Sequence, residues 1–217
     1  MDKKTALIAG ATGLVGGQLL SLLLNDPYYE RVVAITRKPI DNKSDKLVNV
    51  LVDFNKLDEY ASQMKADDVF CCLGTTMKKA GSKNKFKQVD FTYPVNIANL
   101  ALNGGARQFL LISSLGADKN SSIFYNQVKG EVEQAIAELN YSSYHILRPA
   151  LLMGPRDEER SGEDAAKTFF KIFGFLFVGP LKQYKAIDSA KVARAMHAIA
   201  KQDLSGRHIH ESRELQK

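Results

Sequence analysis

Tryptophan is absent from the 217 residues, and cysteine occurs only as the adjacent pair Cys71-Cys72. Neighbouring thiols offer no ordinary loop-closing disulfide, and no CxxC spacing is there for zinc. A disulfide-framed fold is therefore excluded. His208 and His210 place two imidazoles two residues apart, with no third ligand evident, so no metal is expected. Long apolar runs are also missing. The charge-free part of the Phe-rich region, Ile172 to Leu181, is too short for a bilayer span. Met1-Asp-Lys-Lys-Thr5 lacks the apolar centre of a secretory leader. These absences predict a cytoplasmic protein with no membrane span. The net charge of +6 suits an anionic ligand. With no zinc finger, RNA-recognition signature or aromatic-interleaved basic stripe, no nucleic-acid partner is expected.

What is present begins at the first turn. The apolar run Thr5 to Ala9 leads into Gly10-Ala-Thr-Gly13-Leu-Val-Gly16, and a second apolar run, Leu14 to Leu24, follows. A strand, a glycine turn and a helix in that order can aim backbone N–H groups and a positive helix end at a phosphate. Gly10 would take the strand-to-turn dihedrals, Gly13 would admit a pyrophosphate, and Gly16 would bring helix and strand together. Thr12, Leu14 and Val15 complete the candidate cradle. A P-loop is excluded, since no Gly-Lys-Ser/Thr follows.

Beyond the turn, β-branched runs alternate with helical patterns. Strands are expected at 5–9, 31–36, 47–52, 67–72, 107–113, 143–148 and 207–212. Helices are expected at 14–25, 86–103, 122–140, 163–176 and 189–201, with a short one near 56–63. This alternation predicts an α/β fold: a Rossmann-like, doubly wound, mostly parallel sheet. All 217 residues are read as one domain, with a small C-terminal substrate or lid region at about 157–201. Phe169, Phe173 and Phe177 are expected to line its pocket or an interface between subunits.

The tips of the predicted strands supply candidate ligands. At the second tip, Thr36-Arg37-Lys38 stands where an acid would select NAD. A guanidinium and an ammonium there favour the 2′-phosphate of NADP, the plainer reading being a solvated turn. Asp53 and Phe54 follow the third strand and are candidates for the adenine. Cys72, Leu73, Gly74 and Thr75 follow the fourth, beside the pyrophosphate or nicotinamide ribose. The two cysteines read mainly as small buried strand residues, with a reactive thiol left open. Ser113 and Ser114 end the fifth strand, and Tyr125 and Lys129 fall on one face of the next helix. An ammonium near a phenol stabilises the phenolate, so Tyr125 can exchange a proton with a substrate oxygen. A serine hydroxyl can polarise the same carbonyl. The five lysines between Lys78 and Lys87 read as a solvated loop or as a flap attracting anions.

The glycine turn with Ser114, Tyr125 and Lys129 resembles the short-chain dehydrogenase/reductase superfamily. Five longer strings narrow the resemblance: 52–60 (VDFNKLDEY), 71–76 (CCLGTT), 113–119 (SSLGADK), 125–131 (YNQVKGE) and Arg148-Pro149. Together they resemble the atypical members related to the Tat-interacting oxidoreductase-like proteins, over roughly Thr5 to Arg156. The resemblance implies an NADP(H)-binding domain in which Tyr125 and Lys129 hold the nicotinamide end, with Arg148 and Pro149 nearby. It implies hydride transfer to or from a carbonyl or alcohol, with Tyr125 as acid/base. The alternative it carries is an NADPH-binding regulatory or redox-sensing protein without turnover. Homodimers and regulatory protein partners both fit. Many superfamily members place an Asn in the helix before the serine strand as part of a proton relay. Here Val89-Asp90 stands near that position, with Asn96 and Asn99 as substitutes.

Overall fold

A computed structural model describes residues 3–154 and 186–216. The chain opens with β1 (Lys4–Ala9), α1 (Leu14–Asn25), β2 (Tyr29–Thr36) and β3 (Leu47–Leu51). A 3-10 turn (Leu57–Gln63) leads to β4 (Asp68–Cys71), followed by the short helices α2 (Met77–Ala80) and α3 (Lys83–Lys87). A π-helical turn (Gln88–Thr92) joins α3 to α4 (Tyr93–Asn103), and β5 (Gln108–Ile112), α5 (Phe124–Ala137) and β6 (Ser143–Arg148) come next. Beyond them lie β7 (Leu152–Met153), β8 (Ile187–Asp188), α6 (Ser189–Ala200) and β9 (Gly206–Glu211). The helix expected at 163–176 and the rings of Phe169, Phe173 and Phe177 fall outside the described residues.

Seven strands form one sheet in the order β3-β2-β1-β4-β5-β6-β9, every pair parallel. Leu7, Val33, Val69, Phe109 and Ile146 point to one face, under α4 and α5. Ile8, Ala34, Phe70, Leu110 and Leu147 point to the other, under α1 and α6. Strands buried on both faces read as continuous apolar runs, which is why β1, β4 and β5 were visible in the sequence. The fold is Rossmann-like and doubly wound.

The winding sets the site. From β1 the chain moves out to β2 and β3, then returns across β1 to β4 and continues the other way. In such a sheet the crevice opens at the carboxyl ends of the strands, where the direction reverses. Here that is the gap between β1 and β4.

Candidate functional site

At that gap the backbone is packed so closely that only glycine fits. Gly10 has φ +84°, and a β-carbon on it would lie 2.6 Å from the Cys72 carbonyl oxygen. A β-carbon on Gly16 would overlap the carbonyl of Gly10. The Gly13 N–H donates to the Gly10 carbonyl at 2.9 Å and closes the turn. Gly13 then caps α1 with no side-chain hydrogen bond to the first turn, while Thr12 and Gly13 stay exposed. Free N–H groups and the helix dipole face outward here, as an anion requires. Val15 is buried beneath them and Leu14 is half-buried.

Arg37 and Lys38 lie exposed at the tip of β2. The Thr36 hydroxyl donates to the Lys38 carbonyl at 2.7 Å, and Asn49 donates to that hydroxyl at 2.7 Å, fixing the turn. Phe54 is in the core, 7% exposed, with its ring 5.2 Å from that of Tyr93. Asp53 is exposed and accepts from Asn55. Burial chiefly raises the Tyr93 pKa; Asp53 raises it further and Arg37 opposes, so these groups share one neighbourhood. Sequence reasoning did not single out Tyr93.

Beyond β4, Leu73 and Thr75 are half-buried and Gly74 is exposed. The open question about the cysteines resolves toward structure. Burial pushes the Cys71 thiol up to about 12 and the Cys72 thiol well above its ordinary value. The reactive species is the thiolate, and burial works against it at both positions, although Cys72 is half-buried.

At the other end of the crevice the two expected serines part company. The Ser113 hydroxyl donates to Glu133 Oε1 at 2.5 Å. Arg148 forks onto the same carboxylate, with Nε 3.0 Å from Oε1 and Nη2 2.6 Å from Oε2, while Nη1 reaches Glu211 at 3.3 Å. Ser113 and Arg148, both expected to work at the site, are instead committed to a network that fastens β6 to α5 and β9. Pro149 is buried, its carbonyl accepting from the Leu115 N–H at 3.0 Å. Ser114 differs: its hydroxyl is buried and has no hydrogen-bond partner among the described residues. Most buried polar atoms are satisfied, so this orphan at a strand end asks for a ligand.

α5 brings Tyr125 and Lys129 to the same end. Its first turn is stitched to the loop after Ser114, where the Asp118 N–H donates to the Asn126 carbonyl at 3.1 Å. Phe86 of α3 packs its ring 5.6 Å from that of Tyr125. Lys129 is 5% exposed and lies 2.7 Å from Asp90 Oδ1, itself in the π-helical turn. Burial alone would lower the Lys129 pKa, but Asp90 first and Tyr125 second more than reverse this, and the net direction is up. The ammonium stays charged. Asp90 thus occupies the ground expected of a relay Asn. Asn96 and Asn99 do not: both are exposed, and Asn99 bonds back to Val95.

His208 and His210 do gain a third imidazole, the fully buried His145. Its ring nitrogens are 3.0 Å from Ser143 Oγ and 3.0 Å from His210 Nε2. Among the described residues no group of three His, Cys, Asp or Glu is placed to hold a metal ion.

A sequence model described as NAD(P)H-binding matches residues 10–203. The chain belongs to that NAD(P)H-binding family. Rat protein HTATIP2 is 44% identical over 174 residues, spanning 78% of this chain and 72% of its own. FMP52 of Candida albicans, named a mitochondrial protein, is 36% identical over 196 residues, 87% of this chain and 86% of its own. The family thus includes the relatives that the strings at 52–60, 71–76 and 113–119 pointed to. The mitochondrial FMP52 proteins of Candida albicans and Aspergillus clavatus also overturn the expected cytoplasmic location. Among solved structures, MoeE5 in complex with UDP-glucose and NAD superposes with a TM-score of 0.72 at 16% identity, over 95% of this chain and 75% of its own. A short-chain dehydrogenase family protein from Francisella tularensis gives 0.69 at 15%, over 99% and 100%. These likenesses show the fold alone, the Rossmann-like fold of dinucleotide-binding proteins. Among the described residues no helix is long and apolar enough to cross a membrane.

Proposed function

We propose that this NAD(P)H-binding protein is an NADP(H)-dependent oxidoreductase that reduces a carbonyl, or oxidises the matching alcohol, with Tyr125 as acid/base. The observation that carries the reading is the buried, unpartnered Ser114 hydroxyl beside the helix that holds Tyr125 and Lys129. The residues fit the cofactor. The glycine cradle and uncapped start of α1 suit the pyrophosphate, with Leu73, Gly74 and Thr75 alongside. Arg37 and Lys38 suit a 2′-phosphate, and Lys129 suits the nicotinamide ribose. Bound NADPH would supply the hydride. Ser114 would polarise the substrate oxygen, and Tyr125 would give it a proton. The named fungal relatives support a mitochondrial rather than a cytoplasmic setting.

NADPH oxidation followed at 340 nm across aldehydes, ketones and quinones tests this. Tyr125→Phe should lower turnover by about 10²–10⁴-fold, the usual weight of a general acid, with NADPH affinity nearly unchanged. A variant as active as the wild type removes Tyr125 from the role. The regulatory reading draws support from Asp90, which already engages the Lys129 charge. It wins if no substrate is turned over while NADPH still changes affinity for a protein partner.

A further inference from the structure

Asp90 is a buried acid with two distinct jobs. It is 1% exposed, Oδ1 faces Lys129 Nζ at 2.7 Å, and Oδ2 accepts the Thr75 N–H at 2.9 Å. A β-carbon on Gly74 would come 3.6 Å from Asp90 Oδ1 and 3.9 Å from Lys129 Nζ, so the loop after β4 lies against the pair. Desolvating two charges commonly costs as much as their attraction returns, and an apolar pair would pack as well or better. Packing alone does not account for an ion pair here.

We propose that Asp90 is a positioning residue that acts on Tyr125 through Lys129. Its carboxylate cancels most of the ammonium field at the phenol, so that the phenol is a weaker acid than a lone ammonium beside it would make it. The inference rests on Tyr125 being the acid/base. In the reductive step the hydride pair forms the new C–H bond, and the C=O π pair moves onto oxygen. That oxygen takes the phenolic proton of Tyr125, and the tyrosinate recovers one from water.

Among the described residues, the other titratable groups near the pair lie on β4, on α3 and in the loop after Ser114. Cys71 on β4 is pushed up to about 12 by burial and is neutral. On α3, Lys83 lies 5.1 Å over the Phe124 ring, and Lys87 is paired with Glu131 at 2.8 Å. Asp118 and Lys119, in the loop against Gly130, are exposed. Exposed charges are screened by water and salt far more than the buried pair is.

The test is the ionisation of Tyr125 in the intact, cofactor-free protein, read by NMR of tyrosines labelled with ¹³C at the ζ carbon. Tyr125 is one of eight tyrosines, and its resonance is assigned by its loss in Tyr125→Phe. An opposite charge next to an ionisable group shifts its pKa by about 1–3 units, so Asp90→Asn should lower the Tyr125 pKa by about one unit or more. The double variant Asp90→Asn/Lys129→Met removes both charges and should titrate within about half a unit of wild type. Single-variant values equal to wild type, with the double variant raised, would overturn the proposal. If Asp90→Asn alone fails to fold, the double variant decides, because it leaves no unpaired buried charge. Since the titration needs neither cofactor nor substrate, an inactive protein that gives the expected pattern would refute the reductase reading and leave the coupling intact.

Discussion

At Gly16 the carbonyl of Gly10 lies where a β-carbon would have to go, and Cys72 Cβ is only 3.2 Å from the same point. β1, α1 and the end of β4 therefore meet with no room for a methyl group. Overpacking a tight site costs about 1–3 kcal/mol, so Gly16→Ala should lower stability by that order. It should also weaken NADPH binding, as checked by denaturant unfolding and fluorescence titration. A short distance away the issue is charge. Losing one charge-assisted phosphate contact costs about 1.5–3 kcal/mol, or about 10- to 150-fold in affinity. Arg37→Asp should cut NADPH affinity by that factor and reduce or reverse a preference over NADH. Equal dissociation constants for both cofactors in the wild type, by calorimetry, would remove Arg37 from the role. Such roles are legible in sequence when they depend on local spacing. Glu133 was within reach of the same logic, four residues past Lys129 on one helical face, but its partners Ser113 and Arg148 come from other strands. The contest for a hydroxyl between Glu133 and a ligand is settled only in three dimensions.

Among the elements, the expected helix at 86–103 is the one that changed most. Pro94 stands in the first turn of α4, where it has no N–H to give to the Asp90 carbonyl, and its ring crowds that carbonyl. The ladder widens to a π-helical turn over Gln88–Thr92, and that turn holds Asp90 against Lys129. The proline was in plain view, but its effect on register was not. Strands β1 to β6 were read nearly to their ends, β1, β4 and β5 most plainly because burial on both faces leaves uninterrupted apolar runs. The edge strand β9 offers no such apolar run, and it carries a pH dependence. Burial first, then His210 and His208, lowers the His145 pKa to about 4. A histidine depressed on folding binds its proton more readily in the unfolded chain. Stability is therefore greatest above about 6.5 and falls as pH drops toward 4. The loss should be on the order of 3 kcal/mol at most. His145→Asn should flatten the urea-unfolding free energy between those limits, and an unchanged slope would show that other groups govern it.

Over the whole molecule, the cofactor cradle lies where the two halves of the sheet change direction, so a ligand there touches β1, β4 and α1 together. Elements packed into one sheet with two covered faces tend to unfold together, and binding at their junction should then stabilise all of them. A ligand at a hundred times its dissociation constant adds about 2.7 kcal/mol to the native state. For a chain of this size that raises Tm by about 5–11 °C. NADPH should produce this rise. If NADH binds about 10- to 150-fold more weakly, the same concentration adds only about 0.3–1.4 kcal/mol, a rise of about 1–6 °C. Calorimetric scans with each cofactor, on wild type and Arg37→Asp, check both points at once. A larger rise with NADPH that Arg37→Asp abolishes would locate the selectivity at the tip of β2. No rise with either cofactor would count against the crevice as a nucleotide site, whatever the likeness of the fold. The measurement needs no substrate, so cofactor choice can be established before asking whether Tyr125 turns anything over.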